Sequence, residues 1–162
     1  MNIEALMNIE ELMRMAIEKA RAGIAAGQSP FGCAIALGKD VVATAHNCVW
    51  ATTDITAHAE ITALREACAR RRRVHLEGAV VATTCEPCPM CMSALHWARV
   101  DTVYYGASIA DATAAGFNEL HVSADDIVRQ GGSAVKLVRG ILADECVALF
   151  KQWLASAQAR AY

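Results

Sequence analysis

The chain has 162 residues, 55% of them hydrophobic and 20% charged, with a formal net charge of -2. This supports a packed core within a single domain and excludes a disordered chain. No apolar run approaches the ~20 residues that cross a bilayer, and a slightly acidic balance argues against a surface built to hold nucleic-acid phosphate.

The opening MNIEALMNIEELMRMAIEKA is acidic and amphipathic, unlike a secretory signal, and its repeated MNIE suggests no function. Apolar side chains at Ile9, Leu12, Met13, Ala16, Ile17, Ala20 and Ile24 predict a helix over 8–26, ended by Gly27. Ser29-Pro30-Phe31-Gly32 turns into a short strand, CAIALG. Gly38-Lys39-Asp40 makes a hairpin, and VVATAHNCV is the return strand. The polar loop ATTDIT precedes a second helix over 57–72. AVVATT (79–84) reads as an apolar strand and Cys88 to Trp97 as a helix with proline at its start. DTVYYGA is a strand, DATAAG a short helix or turn, Val135–Leu142 a further strand, and 143–158 a last helix. Strands alternating with helices predict a three-layer α/β fold with a partly parallel sheet.

Seven cysteines make an odd count, which disfavours a disulfide framework. Cys33, Cys48, Cys68 and Cys146 read as small buried hydrophobes. Cys88 and Cys91 differ, because C-x-x-C on the first turn of a helix puts two sulfurs on one face. The positive end of the helix dipole there favours thiolates. Taken alone, the pair suits a redox couple, a structural zinc clip or part of a catalytic site. His58, alone at a helix start, would be a cap or a satisfied buried histidine. With Cys88 and Cys91 it makes three ligands, the number that catalytic zinc keeps while leaving one position open. Glu60 is then free as a proton shuttle beside the metal. His58-Ala59-Glu60 with Pro87-Cys88-Pro89-Met90-Cys91 is the H-x-E…P-C-x-x-C signature of zinc nucleobase deaminases.

The segments PFG (30–32), AHAEITALREAC (57–68), TCEPCPMCMSALHWAR (84–99), DATAAGFNE (111–119) and FKQWLASAQARAY (150–162) resemble the cytidine deaminase-like zinc deaminases, and within them the small bacterial guanine deaminases. The resemblance implies a three-layer α/β/α sandwich with a central mixed five-stranded sheet, one Zn2+ per subunit, and deamination of a purine base by zinc-activated water with Glu60 as proton shuttle. It implies a cytoplasmic homodimer whose C-terminal segments, about 143–162, exchange, so that Glu119 and Tyr162 complete the neighbouring site. Asn47, Ala59 and Trp97 are then substrate-binding positions. Phe31 offers a further flat face, although as a residue type it is more readily core. Two departures stand out: Ile55 replaces a common proline before T-A-H-A-E, and Glu119 replaces the aspartate of some relatives.

Arg70–Arg73 is a run of four arginines at a predicted helix end. Cations match the dipole there, so a solvated helix terminus is favoured over a phosphate contact. Two rivals remain. One is a deaminase of guanosine, cytosine, another aminated heterocycle or adenosine in tRNA. The other is a nucleic-acid-binding protein with a structural zinc.

Overall fold

A computed structural model describes residues 7–162. The chain runs α1 (Ile9–Ala25), β1 (Gly32–Leu37), β2 (Asp40–His46), α2 (Val49–Thr52), α3 (Ala59–Arg71), β3 (Ala79–Cys85), α4 (Pro89–Trp97), β4 (Thr102–Ala107), α5 (Ile109–Ala114), α6 (Ala124–Gly131), β5 (Lys136–Arg139) and α7 (Ala143–Leu154). The first MNIE lies outside the described residues. The second leads into α1, where the Asn8 side chain accepts from the backbone N–H groups of Glu10 and Glu11.

The five strands form one mixed sheet in the order β2-β1-β3-β4-β5. β1 runs antiparallel to both β2 and β3, whereas β3, β4 and β5 are parallel. Side chains alternate across the sheet as a pleated strand requires. Cys33 and Ile35 join Ala59, Ala63 and Ala67 of α3 and Met92 and Leu95 of α4 on one face. Ala34, Ala36 and Ala82 meet α1, α5 and α7 on the other. Helices therefore cover both faces, which is the three-layer arrangement expected. The small residues on the second face let α1 approach closely. A Cβ at Gly32 would run into the Ala16 carbonyl, so only glycine fits there. No helix among the described residues is long and apolar enough to cross a membrane.

Some boundaries differ from the sequence reading. β2 stops at His46, because the Asn47 side chain accepts from the Val49 N–H and bends the chain into the single turn α2. α6 was not anticipated, although Ser123-x-x-Asp126 is a capping pattern: the Ser123 hydroxyl accepts the Asp126 N–H. α7 ends at Leu154, and the residues after it leave the helix for the site described next.

Candidate active site

The site lies at the carboxyl ends of the parallel strands, next to the point where the sheet changes direction at β1, a recurrent position for ligands in open α/β sheets. Two helices aim their N-termini at it. His58 is the N-cap of α3 and Cys88 the N-cap of α4, with Pro89 as the first helical residue. The ligand atoms of His58, Cys88 and Cys91 all lie within 4.8 Å of one another. His58 Nδ1 is 3.6 Å from Cys88 Sγ and 3.5 Å from Cys91 Sγ. A tetrahedral zinc with bonds of about 2.3 Å to sulfur and about 2.0 Å to nitrogen sets sulfur–nitrogen edges of about 3.5 Å. The three side chains are thus already spaced for such an ion.

Electrostatics agree with the donor chemistry. A hydrogen bond from Cys91 brings the Cys88 thiol down to about 4 against the effect of burial, with His58 adding to the drop. The same shared proton, with burial, pushes Cys91 well up. A zinc ion held there would displace that proton and leave both sulfurs as thiolates. Cys85 is turned away, donating to the Ser108 carbonyl at 3.4 Å, so it is not a ligand. All seven cysteines are free. Cys33 and Cys146 are buried as expected, whereas Cys48 and Cys68 are only half-buried because each sits at the end of its element, near the surface.

Glu60, one residue inside α3, is buried beside the cluster. Its Oε1 accepts the Thr83 hydroxyl at 3.0 Å, and its Oε2 lies 3.5 Å from Cys91 Sγ. Burial and the charge of Cys88 raise its pKa, while His58 and the Thr83 hydrogen bond hold it down. Next to it is a recess of about 20 Å³ bordered by Phe31, His58, Glu60, Cys88, Glu119 and Tyr162. That is room for one water molecule. It shares His58, Cys88, Glu119 and Tyr162 with a larger chamber of about 310 Å³, within the range of small-molecule sites. Glu119, Tyr162 and Phe117 wall this chamber, and Ile55, Met90 and Leu120 form an apolar rim.

The structure brings together most, not all, of the residues singled out from sequence. His58, Glu60, Cys88, Cys91, Glu119 and Tyr162 converge. Phe31 borders the recess while also packing edge-on against Phe117 and Phe150, so it is both core and wall. Asn47 is fully buried behind Tyr162: its amide donates to the tyrosine hydroxyl at 2.6 Å instead of facing the cavity. Ala59 is packed into the core. Trp97 is not at the site. It is 76% exposed at the far end of α4, about 13 Å along the helix axis from Cys88. Its periodicity placed it on a helix, but the cavity forms only at the N-terminal end of that helix. The arginine run likewise ends α3, about 20 Å from His58.

Two carboxylates support the loops around the site. Glu86 receives the Ile109 N–H at 3.0 Å on one oxygen and the Ala124 N–H at 2.9 Å on the other. One carboxylate thus caps both α5 and α6 and fixes the loop between them, which carries Phe117 and Glu119, to the strand end before Cys88. The loop before His58 is set by Asp54, whose Oδ1 accepts from the Thr56 N–H and hydroxyl. This turn forms without the proline that Ile55 replaces, and Ile55 projects 61% exposed at the rim.

Residues 6–107 match the family model of the cytidine and deoxycytidylate deaminase zinc-binding region. The chain belongs to this family. It is a deaminase, and the matched region contains all three candidate ligands and Glu60. Among curated relatives, the guanine deaminase of Bacillus subtilis is 41% identical over 70% of this chain and 73% of its own length. The tRNA-specific adenosine deaminase of Aquifex aeolicus is 37% identical over 62% of this chain and 67% of its own length. The solved guanine deaminase of Nitrosomonas europaea superposes with a TM-score of 0.85 at 28% identity, covering 93% of this chain and 87% of that one. The five-stranded mixed sheet flanked by helices is the fold these deaminases share.

Proposed function

We propose that the chain hydrolyses a purine base, guanine to xanthine plus ammonia, with one zinc ion per subunit held by His58, Cys88 and Cys91. The observation that carries this reading is the meeting of two carboxylates at one cavity: Glu60 at the water-sized recess and Glu119 on the chamber wall. Zinc, when bound, acidifies a water toward neutrality. Glu60 is the group placed to carry a first proton from that water to the ring nitrogen, and a second from the added hydroxyl to the departing amine. Thr83 holds the carboxylate in orientation, leaving Oε2 toward the cluster.

Glu119 would orient the base. Guanine offers a ring N–H and an amino group along one edge, and a carboxylate accepts from both. Tyr162, Phe117 and Phe31 supply aromatic walls, and stacking on such a face contributes roughly 1–3 kcal/mol per base. Neither Lys nor Arg is among the residues walling the cavity. A phosphate there would face two carboxylates with no Lys or Arg to meet it, so an uncharged base suits the cavity better than a nucleotide. The likeness to guanine deaminases supports the choice of base.

The rivals find less support. Adenosine in tRNA would need cations near the cavity mouth, and the arginine run is at the opposite end of α3. A structural zinc takes four protein ligands; the cluster offers three and lies against an open chamber. The reading includes a homodimer. Exchange of the C-terminal segment between two copies would keep every contact of Tyr162, since its seat is the same in either copy. A cytoplasmic setting suits seven free cysteines, two of them metal thiolates. An ammonia-release screen of the zinc-loaded protein across guanine, guanosine, adenine, cytosine and an adenosine-containing tRNA stem-loop tests the reading. Guanine should be turned over fastest, and preference for any other substrate overturns the assignment.

A further inference from the structure

A segment outside helix and sheet holds one position only where other groups tie it down. Beyond Ala159 the described tail makes no backbone–backbone hydrogen bond, yet Tyr162 reaches the metal cluster, its ring centroid 5.5 Å from that of His58. What fixes the approach is Trp50 on α2. Its indole Nε1–H donates to the Arg160 carbonyl at 3.2 Å. The Arg160 guanidinium lies over the same ring, its central carbon 3.9 Å from the ring centroid. Backbone and side chain of residue 160 are thus held by one indole, and Tyr162 follows two residues later, edge-on to that ring at 6.3 Å. Trp50 is itself fixed, because the residues on either side of it in α2 are held by side chains. The Val49 N–H donates to the Asn47 side chain and the Ala51 N–H to the Gln28 side chain.

We propose that Trp50 is a positioning residue for base deamination, clasping Arg160 so that Tyr162 closes the cavity wall. The inference rests on the deaminase reading of the site, and it holds whether the tail belongs to the same copy or an exchanged one. Trp50 touches neither the cluster nor Glu60, so it acts on how often the wall is in place. When a site is competent only part of the time, apparent affinity falls by the competent fraction, whereas saturating substrate refills the competent state. Loss of the clasp should therefore raise KM while kcat changes little.

The test uses the full-length zinc-loaded protein with guanine, comparing wild type, Trp50→Ala, Trp50→Phe and Arg160→Ala, together with the rate at which carboxypeptidase releases the terminal tyrosine. Trp50→Ala should raise KM about tenfold, the scale of one lost hydrogen bond and cation–π contact together, with kcat within about threefold of wild type. Tyrosine release should accelerate in parallel. Trp50→Phe keeps a ring under the guanidinium but lacks the N–H, so it should fall between. Arg160→Ala removes an exposed side chain and should shift KM and release in the same direction even if Trp50→Ala folds poorly. Wild-type KM and wild-type release in both alanine variants overturn the clasp, as does a fall in kcat at unchanged KM. Absence of guanine turnover in wild type would instead sink the parent reading, and tyrosine release would still decide whether the clasp exists.

Discussion

Thr83 holds Glu60 beside the candidate metal cluster, the threonine hydroxyl donating to Oε1 at 3.0 Å. Thr83 is near the end of β3, where the sheet fixes its position, so one oxygen of a buried carboxylate is committed and the other left toward the cluster. Glu60→Gln should keep about one zinc per chain and lose roughly 10²–10⁴ in kcat, the usual worth of a positioned acid/base. Metal analysis and ammonia release check it together. A variant that keeps turnover removes Glu60 from the mechanism.

The tail supplies a second expectation. Deleting Ala161 and Tyr162 removes the ring beside His58 and the partner of the Asn47 amide. We expect kcat/KM for the base to fall roughly 10–100-fold, the scale of a lost positioning surface, with zinc content unchanged. Wild-type kinetics in the truncated chain would show that the cavity does not use this wall.

Glu86 gives a stability prediction with a kinetic companion. In Glu86→Gln, one of the two backbone N–H groups faces an amide NH₂ instead of an oxygen. Losing a charge-assisted bond in this half-buried spot should cost about 1–3 kcal/mol in urea unfolding. Because Glu119 rides on the loop so released, KM for the base should rise as well. Unchanged stability would mean that the two helix ends find other partners.

The pH dependence concerns Glu119. In the metal-free chain, burial and the negative charge of Cys88 raise its carboxyl from the ordinary 4.5 to about 7. Between those values the folded chain binds a proton that the unfolded chain does not. This contribution to stability is therefore whole below about pH 4.5, is lost as pH rises toward 7, and is flat above. The Tm of chelated Glu119→Gln should gain on wild type as pH goes from 5 to 7.5. Zinc should shrink the gain by favouring the carboxylate. A gain that instead appears on acidification contradicts the assignment.

The layered fold and the candidate metal cluster were legible in sequence for the same reason: both follow from local pattern. Period-3.6 apolar spacing marked α1, and Cys88-x-x-Cys91 after a proline marked the start of α4. His58 and Glu60 became informative once paired with those cysteines. The remaining walls depend on long-range packing. Nothing around Trp50 signals that it will meet Arg160, which is 110 residues away. Asn47 has the right chemistry for a base contact but spends it on Tyr162. Trp97 looked suitable by type, and the length of α4 carries it out of reach.

The double grip of Glu86 also separates two kinds of change. Side chains from Asn118 to Leu120 hang between backbone points that one carboxylate anchors, while the candidate ligands His58, Cys88 and Cys91 stand at the starts of α3 and α4. Residues 118–120 are therefore the part of the wall to exchange, with Phe117 kept because it is packed against Phe31, Phe150 and Trp153. A chimera that takes this loop from another deaminase and keeps Glu86 is a route to a new base preference on the same hydrolytic machinery.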